Sequence, residues 1–274
     1  FVADPSFVYF STGALQGEWF SVISNSSTDV VVEEDLSSMG ATIGDEVSIY
    51  PYWQLGELIV DGSGFPESSS PFAPIAGIYK YNPNSTGVNP STSEGYFYYD
   101  GSIGGAAGWY DINDPNDGLK NGIVFSPETF VMVRNLTSDS FVFTLRGAVV
   151  TEKFGIAVAA SPSDVRDNLI PNPFPVSIPL NESNLVTDGV IRPSPNVFAP
   201  KDIIYYYQAV GEGINRSTSA GYFYHDGSMG DEGWYDVNDP NRGRVGSEML
   251  PASGALVVRK GAGGPSLLMW KPQP

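Results

Sequence analysis

The chain has 274 residues, of which 41% are hydrophobic and 16% charged, and its formal net charge is −17 at pH 7. This acidic balance argues against nucleic acid and anionic membrane surfaces as partners, because both are bound mainly through Lys and Arg. The sequence contains no cysteine, which excludes disulfides, thiol catalysis and thiolate metal sites.

The apolar content and the length predict two folded domains, each large enough for its own core. No apolar run in the sequence approaches the length of about 18 residues that a membrane-spanning helix needs. We expect that an N-terminal segment such as a signal peptide preceded Phe1 and was removed.

The first predicted element is a strand within residues 1–12. It is broken at Pro5 and ends in an apolar run. Two interpretations stay open: an edge strand of its own domain, or a strand donated to a neighbouring subunit, which would drive polymerisation by main-chain pairing. The candidate assembly residues are Phe7, Val8, Tyr9 and Phe10.

Short strands separated by turn signals follow along the rest of the chain, a pattern typical of β-sandwiches and barrels. The one predicted helix is short, covers residues 161–169, and begins at Ser161 or Ser163 as its cap. The predicted strands lie within residues 18–23, 29–33, 45–53, 78–81, 96–99, 130–134, 141–146, 203–207 and 267–270.

The most distinctive pattern is a repeat with the frame GYFYxDGSxG, GWYD, x, NDPN, at residues 95–116 and again at 221–241. Flanking residues match in register, for example Phe72 with Phe198. A repeat that covers most of a domain is too long for one propeller blade or solenoid coil. We therefore predict an all-β protein of two tandem β-sandwich or barrel-like domains from an internal duplication. The first domain, with the N-terminal strand, is residues 1–150, and the second is residues 151–274.

Further segments carry modest motifs, among them a P-x-W-x-L-G stretch at 51–56 and a Gly-x-x-hydrophobic-x-Arg ending at 254–259. The first copy departs from that ending, with Thr129 where Gly254 would align. These motifs resemble a family of uncharacterised secreted repeat proteins of Gram-negative bacteria. The resemblance implies export and a β fold, and some relatives are suspected of building extracellular filaments. The segments that carry it are residues 4–15, 44–58, 172–180, 203–207 and 252–263.

The oxygen-rich turn after each GWYD segment is a candidate calcium site, because Ca²⁺ takes carboxylate and amide oxygens. The spacing does not fit an EF-hand, since Pro115 occupies a ligand position, and Arg242 stands where the first copy has Asp117. The alternative is an Asx-Pro turn whose side chains bond the backbone. The candidate ligands are Asp111, Asn113, Asp114, Asp236, Asn238 and Asp239.

Catalytic chemistry is poorly represented. His225 is the only histidine, and its counterpart in the first copy is Tyr99. A Ser-His-Asp arrangement would need it as the base, yet no nucleophile elbow precedes a helix. The carboxylates of Asp226 and Asp236 could form a glycosidase pair, but Asp-Gly is mainly a hairpin signal. We predict no catalytic residues and no enzymatic activity.

Two further kinds of site concern glycans. Trp109 and Trp234 are candidate surface aromatics that could stack on sugar rings or on a protein partner. Asn-x-Ser/Thr sequons in or beside predicted turns are candidate glycosylation sites, and they begin at Asn25, Asn84, Asn135, Asn181 and Asn215.

Together these patterns predict a non-enzymatic structural subunit of an extracellular filament or cell-surface layer. Its partner is itself, assembling head to tail through the N-terminal strand. The alternative is a secreted carbohydrate-binding protein or a calcium-stabilised adhesin, with glycans as partners. Ca²⁺ is the one cofactor that the sequence suggests.

Overall fold

The computed structural model describes residues 4–58, 63–82, 85–145, 151–207, 217–252 and 254–273. These residues confirm the predicted all-β class, with one four-residue helix, α1 (Leu55–Leu58), and two single-turn 3-10 helices, Leu180–Glu182 and Pro240–Arg242. In the described ranges no helix is long and apolar enough to cross a membrane. The strands are β1 (Ser6–Phe10), β2 (Trp19–Asn25), β3 (Val30–Val32), β4 (Val47–Pro51), β5 (Trp53–Gln54), β6 (Ala76–Tyr81), β7 (Thr92–Tyr99), β8 (Gly108–Asp111), β9 (Val124–Phe125), β10 (Val131–Asn135), β11 (Ile156–Ala159), β12 (Arg166–Pro171), β13 (Ile178–Pro179), β14 (Asp202–Tyr206), β15 (Ala220–His225), β16 (Gly233–Asp236), β17 (Met249–Leu250), β18 (Ala255–Lys260) and β19 (Leu267–Trp270).

The chain divides into two compact units. The first comprises Phe1–Phe7, Tyr50–Asn82 and Ser91–Ala148. Its main sheet has the strand order β10-β6-β7-β8, and β5 pairs with β9 in a separate ladder. Apolar side chains from these strands and from α1 form one core, because alternate residues of each strand face the same side. The buried members of this core are Leu55, Phe65, Ala76, Ile78, Tyr96, Trp109 and Phe125.

The second unit comprises Val8–Ile49, Pro83–Pro90 and Val149–Pro274. Its main sheet has the strand order β12-β18-β14-β15-β16, with the two-stranded ladders β11-β19 and β13-β17 beside it. Its largest buried side chains include Trp234, Trp270, Phe174 and Phe223.

The N-terminal strand β1 lies inside a sheet of its own chain with the order β3-β2-β1-β4. Phe10 donates its N–H to the carbonyl of Glu18 at 3.0 Å and accepts from the N–H of Gly17 at 2.9 Å, while Ser11 donates to Glu46 at 3.0 Å. Val8, Tyr9 and Phe10 are buried. The edge interpretation is therefore wrong, because β1 lies between β2 and β4, whereas donation of this strand to a neighbouring subunit stays a prediction.

The units differ from the predicted division into 1–150 and 151–274, since Val8–Ile49 and Pro83–Pro90 group with the later residues. Residue 150 itself lies outside the described ranges. Descent of the two units from a duplication, and their sandwich or barrel form, stay predictions.

Two predicted elements are wrong. Residues 161–169 form no helix, because β12 starts within them and pairs along its whole length with β18. Residues 141–145 of the predicted strand 141–146 form no strand. There the rings of Phe141 and Phe143 pack on Phe65 at centroid distances of 5.8 and 5.6 Å instead of entering a ladder.

Candidate functional site

The two copies of the sequence repeat fold into hairpins of the same register. Tyr98 lies opposite Trp109 in β7 and β8, and Tyr224 lies opposite Trp234 in β15 and β16. The ring pairs are edge-on, with centroid distances of 5.6 and 5.5 Å. The Asp-Gly turn after the first strand has a left-handed glycine in each copy, Gly101 and Gly227, as local turn chemistry predicts.

The prediction that Trp109 and Trp234 present aromatic surfaces is wrong, because both side chains are in the core at 0% and 2% exposure. On a strand, consecutive side chains alternate between faces, and the sequence does not tell which face is covered. Within the described ranges, the large exposed aromatics are instead Tyr50, Trp53, Phe72 and Phe198.

The candidate calcium ligands form Asx turns. Oδ1 of Asp111 accepts the backbone N–H of Asn113 at 2.7 Å, and Oδ1 of Asp236 accepts that of Asn238 at 2.8 Å. Oδ1 of Asp114 likewise accepts from the N–H two residues on, at 3.2 Å. No group of three or more His, Cys, Asp or Glu that could hold a metal occurs in the described residues. This arrangement is the one that the Asx-Pro interpretation predicts.

In the second copy, Oδ2 of Asp236 lies 4.0 Å from Nη1 of Arg242. A calcium ion at Asp236 would therefore be repelled by the charge of this arginine. The side chain of Asp239 does not cap the 3-10 helix that follows it.

His225 anchors a loop. It is fully buried, and its Nδ1 accepts the backbone N–H of Gly227 at 3.1 Å. The phenol of Tyr99 holds the corresponding loop in the first copy. It accepts from the N–H of Ile103 at 2.7 Å and donates to the carbonyl of Gly104 at 3.0 Å. The carboxylate of Asp226, beside His225, accepts from Ser228. The residue opposite His225 across an isolated bridge is the buried Ser194, whose Oγ accepts the backbone N–H of Lys201 at 2.9 Å.

Three of the predicted sequons are in described residues. Asn135 and Asn181 are exposed and Asn25 is half-buried. The Asn135 amide is engaged, since it donates to the carbonyl of Asp139 at 2.7 Å and accepts from the N–H of Thr137 at 3.0 Å. Asn84 and Asn215 lie outside the described residues.

The sequence motifs did not reveal a pair of exposed apolar side chains that occurs in each copy. Phe72 is 74% exposed and Ile103 71%; their counterparts Phe198 and Met229 are 70% and 65% exposed. We call these two sets the first and the second apolar pair. A hydroxyl ties the two loops of each pair together.

In the first copy, Ser102 Oγ donates to the carbonyl of Ser69 at 3.1 Å. In the second, Ser228 Oγ lies 3.0 Å from the carbonyl oxygen of Pro195 and 2.6 Å from Oδ1 of Asp226, and its single proton is donated to one of these acceptors at a time. The signal in the sequence was an apolar residue inside a turn-rich loop at the same place in both copies.

A polar groove of about 680 Å³ lies in the second unit, and its lining includes Ser11, Thr12, Gln16, Glu46 and Lys153. No aromatic side chain is among its lining residues in the described ranges. Sugar sites generally stack an aromatic ring on the pyranose face, so this groove gives the carbohydrate interpretation little support.

The two sheets differ in how one arginine is partnered. Arg259 of β18 lies over the ring of Tyr205, with its Cζ 5.2 Å from the centroid, and forms a two-pronged ion pair with Asp167 of β12 at 2.7 and 2.9 Å. Its counterpart, Arg134 of β10, lies over Tyr79 at 4.7 Å. Arg134 has no carboxylate within 4.0 Å among the described residues.

A buried ion network is found in the second copy. The carboxylate of Asp202 accepts from Nζ of Lys260 at 2.5 Å and from Nε and Nη2 of Arg192 at 2.9 and 2.7 Å. Lys260 also donates to the carbonyl of Val190. Burial alone would raise the pKa of Asp202, but the hydrogen bonds from Arg192 and Lys260 outweigh it and hold that pKa below its ordinary value.

A scan against protein-family models, a search of curated proteins and a search of solved structures each found no match to this chain. The function is therefore argued from the chain's own residues. Of these, the apolar pairs and the two unlike sheet edges carry the most information, because solvent-facing features say more about partners than packed ones do.

Proposed function

We propose that the protein is a non-enzymatic structural subunit that assembles with copies of itself outside the cell, as in a surface filament or layer. The observation that carries this proposal is the recurrence of an exposed apolar pair at the same place in both copies. Secretion and kinship with filament-forming bacterial proteins belong to the same proposal.

A single exposed apolar residue needs no explanation, because much of any protein surface is apolar. Recurrence at matched positions is different. Phe72 and Phe198 are both more than two-thirds exposed, and each belongs to a loop that is tied by a serine hydroxyl to the loop of the second member. Apolar side chains held in fixed positions at the surface are typical of protein-binding sites.

The number of pairs bears on the form of assembly. A subunit with one self-complementary patch forms a dimer and stops, whereas a subunit with two patches can bind two neighbours and continue. The first and second apolar pairs therefore support an open chain of subunits. Donation of the N-terminal strand is not part of this proposal, because β1 is an interior strand of its own sheet.

The proposal is tested by changing the pairs one at a time. Phe72→Ser removes the main contact of the first pair, and we expect assembly to stop at dimers joined through the second pair. Phe72→Ser combined with Phe198→Ser should give monomers. Light scattering coupled to size-exclusion chromatography measures the masses, and negative-stain micrographs show whether the unchanged protein forms filaments.

The matched control is Ile43→Ser, which removes a fully exposed apolar side chain that is not part of a repeated pair. It should leave assembly unchanged. A protein that stays monomeric at every concentration, or one whose assembly is equally weakened by all three variants, would contradict the proposal.

A further inference from the structure

The strand β10 is the outermost strand of its sheet in the described residues, whereas its counterpart β18 lies between β12 and β14. The two strands occupy matched registers on their inner sides. Val133 lies opposite Ile78 in the first sheet, and Val258 lies opposite Ile204 in the second. In the second sheet, β12 therefore shows how a further strand pairs on the outer side of the strand that corresponds to β10.

The covering strand in the second sheet brings a carboxylate to the arginine. Asp167 lies directly opposite Arg259, and its side chain is 1% exposed while it holds both ends of the guanidinium. Planar two-pronged pairing of this kind is both strong and specific in register. It fixes which residue of the added strand lies opposite the arginine.

The same arginine is present at the open edge without that carboxylate. Arg134 is half-buried and held over Tyr79, so its guanidinium is oriented before any partner arrives. Within 131–135 no Pro or bulge interrupts β10, and Arg134 is its only charged residue, whereas edge strands that must stay unpaired usually carry several protective features. Val133 of this strand is 37% exposed.

We propose that β10 accepts an extended, acidic strand of a partner protein, antiparallel and with an Asp or Glu opposite Arg134. Main-chain hydrogen bonds supply affinity in this mode of recognition, and the carboxylate sets the register. The strand of this chain that would match, β12, is already paired with β18. The occupant in this proposal is a segment of another protein. This inference does not rest on the proposed function.

The probe is a fluorescent peptide with the sequence of residues 163–172, which contains β12. We expect saturable binding to the intact chain, measured by fluorescence anisotropy. Replacing the peptide's Asp167 by Asn should weaken binding about tenfold, the usual scale of a charge-assisted hydrogen-bonded pair. Arg134→Gln should weaken binding of the original peptide by the same factor. Combining the two changes should add little, because both remove the same interaction.

Two controls separate strand addition from general attraction of charges. Arg242→Gln removes an exposed cation of the second unit and should leave the peptide affinity unchanged. A peptide N-methylated at alternate residues cannot donate ladder hydrogen bonds and should not bind. Absence of binding, or binding that neither Arg134→Gln nor N-methylation weakens, overturns the proposal. If the peptide fails to bind and Arg134→Gln instead separates copies of the chain, the occupant is a second copy and the proposal is also overturned.

Discussion

The sheets β10-β6-β7-β8 and β18-β14-β15-β16 have the same strand order and the same register, but they differ at one edge and in one buried cluster. The residues that agree make turns and fill the core. The second sheet adds β12 at its edge and a buried ion network at the end of β18. The turns and aromatic residues that both copies share therefore occur with the same four-strand order. The added edge strand β12 and the buried ion network are found in one copy without a change in that order.

The network illustrates how far two copies of a frame can diverge. At the positions of Asp202 and Lys260 the first sheet has Ala76 and Asn135, which lie opposite each other in β6 and β10. A small side chain and an exposed amide require no charge compensation. In the second sheet both charges are fully buried, so each stabilises the fold only while the other is present.

The largest expected effect follows from removing one member of that pair. Asp202→Ala leaves Lys260 buried without its carboxylate, and we expect the free energy of unfolding of the second unit to fall by about 3–5 kcal/mol. Native-state hydrogen exchange measures it in the amides of β14 and β18, with those of β6 and β10 as an internal reference.

Two companion variants make that result specific. Asp202→Ala together with Lys260→Met replaces the pair by apolar groups and should recover at least half of the lost stability, as buried pairs often allow. Asn135→Ala, at the matched exposed position, removes the amide's turn hydrogen bonds to Asp139 and Thr137 but unpairs no buried charge, so it should cost about 1 kcal/mol. A double variant as unstable as the single one would show that the loss does not come from the unpaired charge of Lys260, but from packing or from the lost partner of Arg192.

The unlike edges give the next effect. Arg259→Gln leaves the nearly inaccessible Asp167 without its ion-pair partner and should destabilise the second unit by about 2 kcal/mol. Arg134→Gln removes a cation–π contact at the partly exposed edge and should cost the first unit about 0.5 kcal/mol. Urea titrations followed by hydrogen exchange separate the units. Equal losses in the two variants would mean that β12 adds nothing through this ion pair.

Local chemistry accounts for what the sequence predicts correctly. Asp100 and Asp226 bond the N–H two residues on in the Asp-Gly turns, and that bond depends only on neighbours in the chain. The strands with alternating apolar residues form for a similar reason.

Long-range pairing accounts for what the sequence does not predict. The segment before Asp167 begins with serines that could cap a helix, but the chain forms strand β12 there. Asp167 pairs with Arg259, which is 92 residues away in the sequence. The spacing of apolar residues along the chain predicts neither the interior position of β1 nor the burial of Trp109. The partner strands that decide them are distant in sequence.

The smallest expected effect concerns pH and again distinguishes the two sheets. Because the pKa of Asp202 is lowered in the folded chain, its charged form stabilises the fold above the unfolded-state pKa of about 3.9. That contribution is lost as pH falls through the lower folded-state value. We therefore compare the unchanged protein with Asp202→Asn, and expect their difference in unfolding free energy to stay constant from neutral pH to about 5 and to shrink as pH falls further below about 4.

The contributions of other carboxylates to the pH dependence of stability cancel in that comparison. The pKa values of Asp100 and Asp226 are both lowered, mainly by the hydroxyls of Ser102 and Ser228, and burial raises the pKa of Asp188. All three are unchanged in Asp202→Asn, so their contributions appear equally in both proteins. A difference that stays constant from neutral to acid pH would mean that the stability from this site depends on shape and hydrogen bonding, with no net contribution from the charge of Asp202.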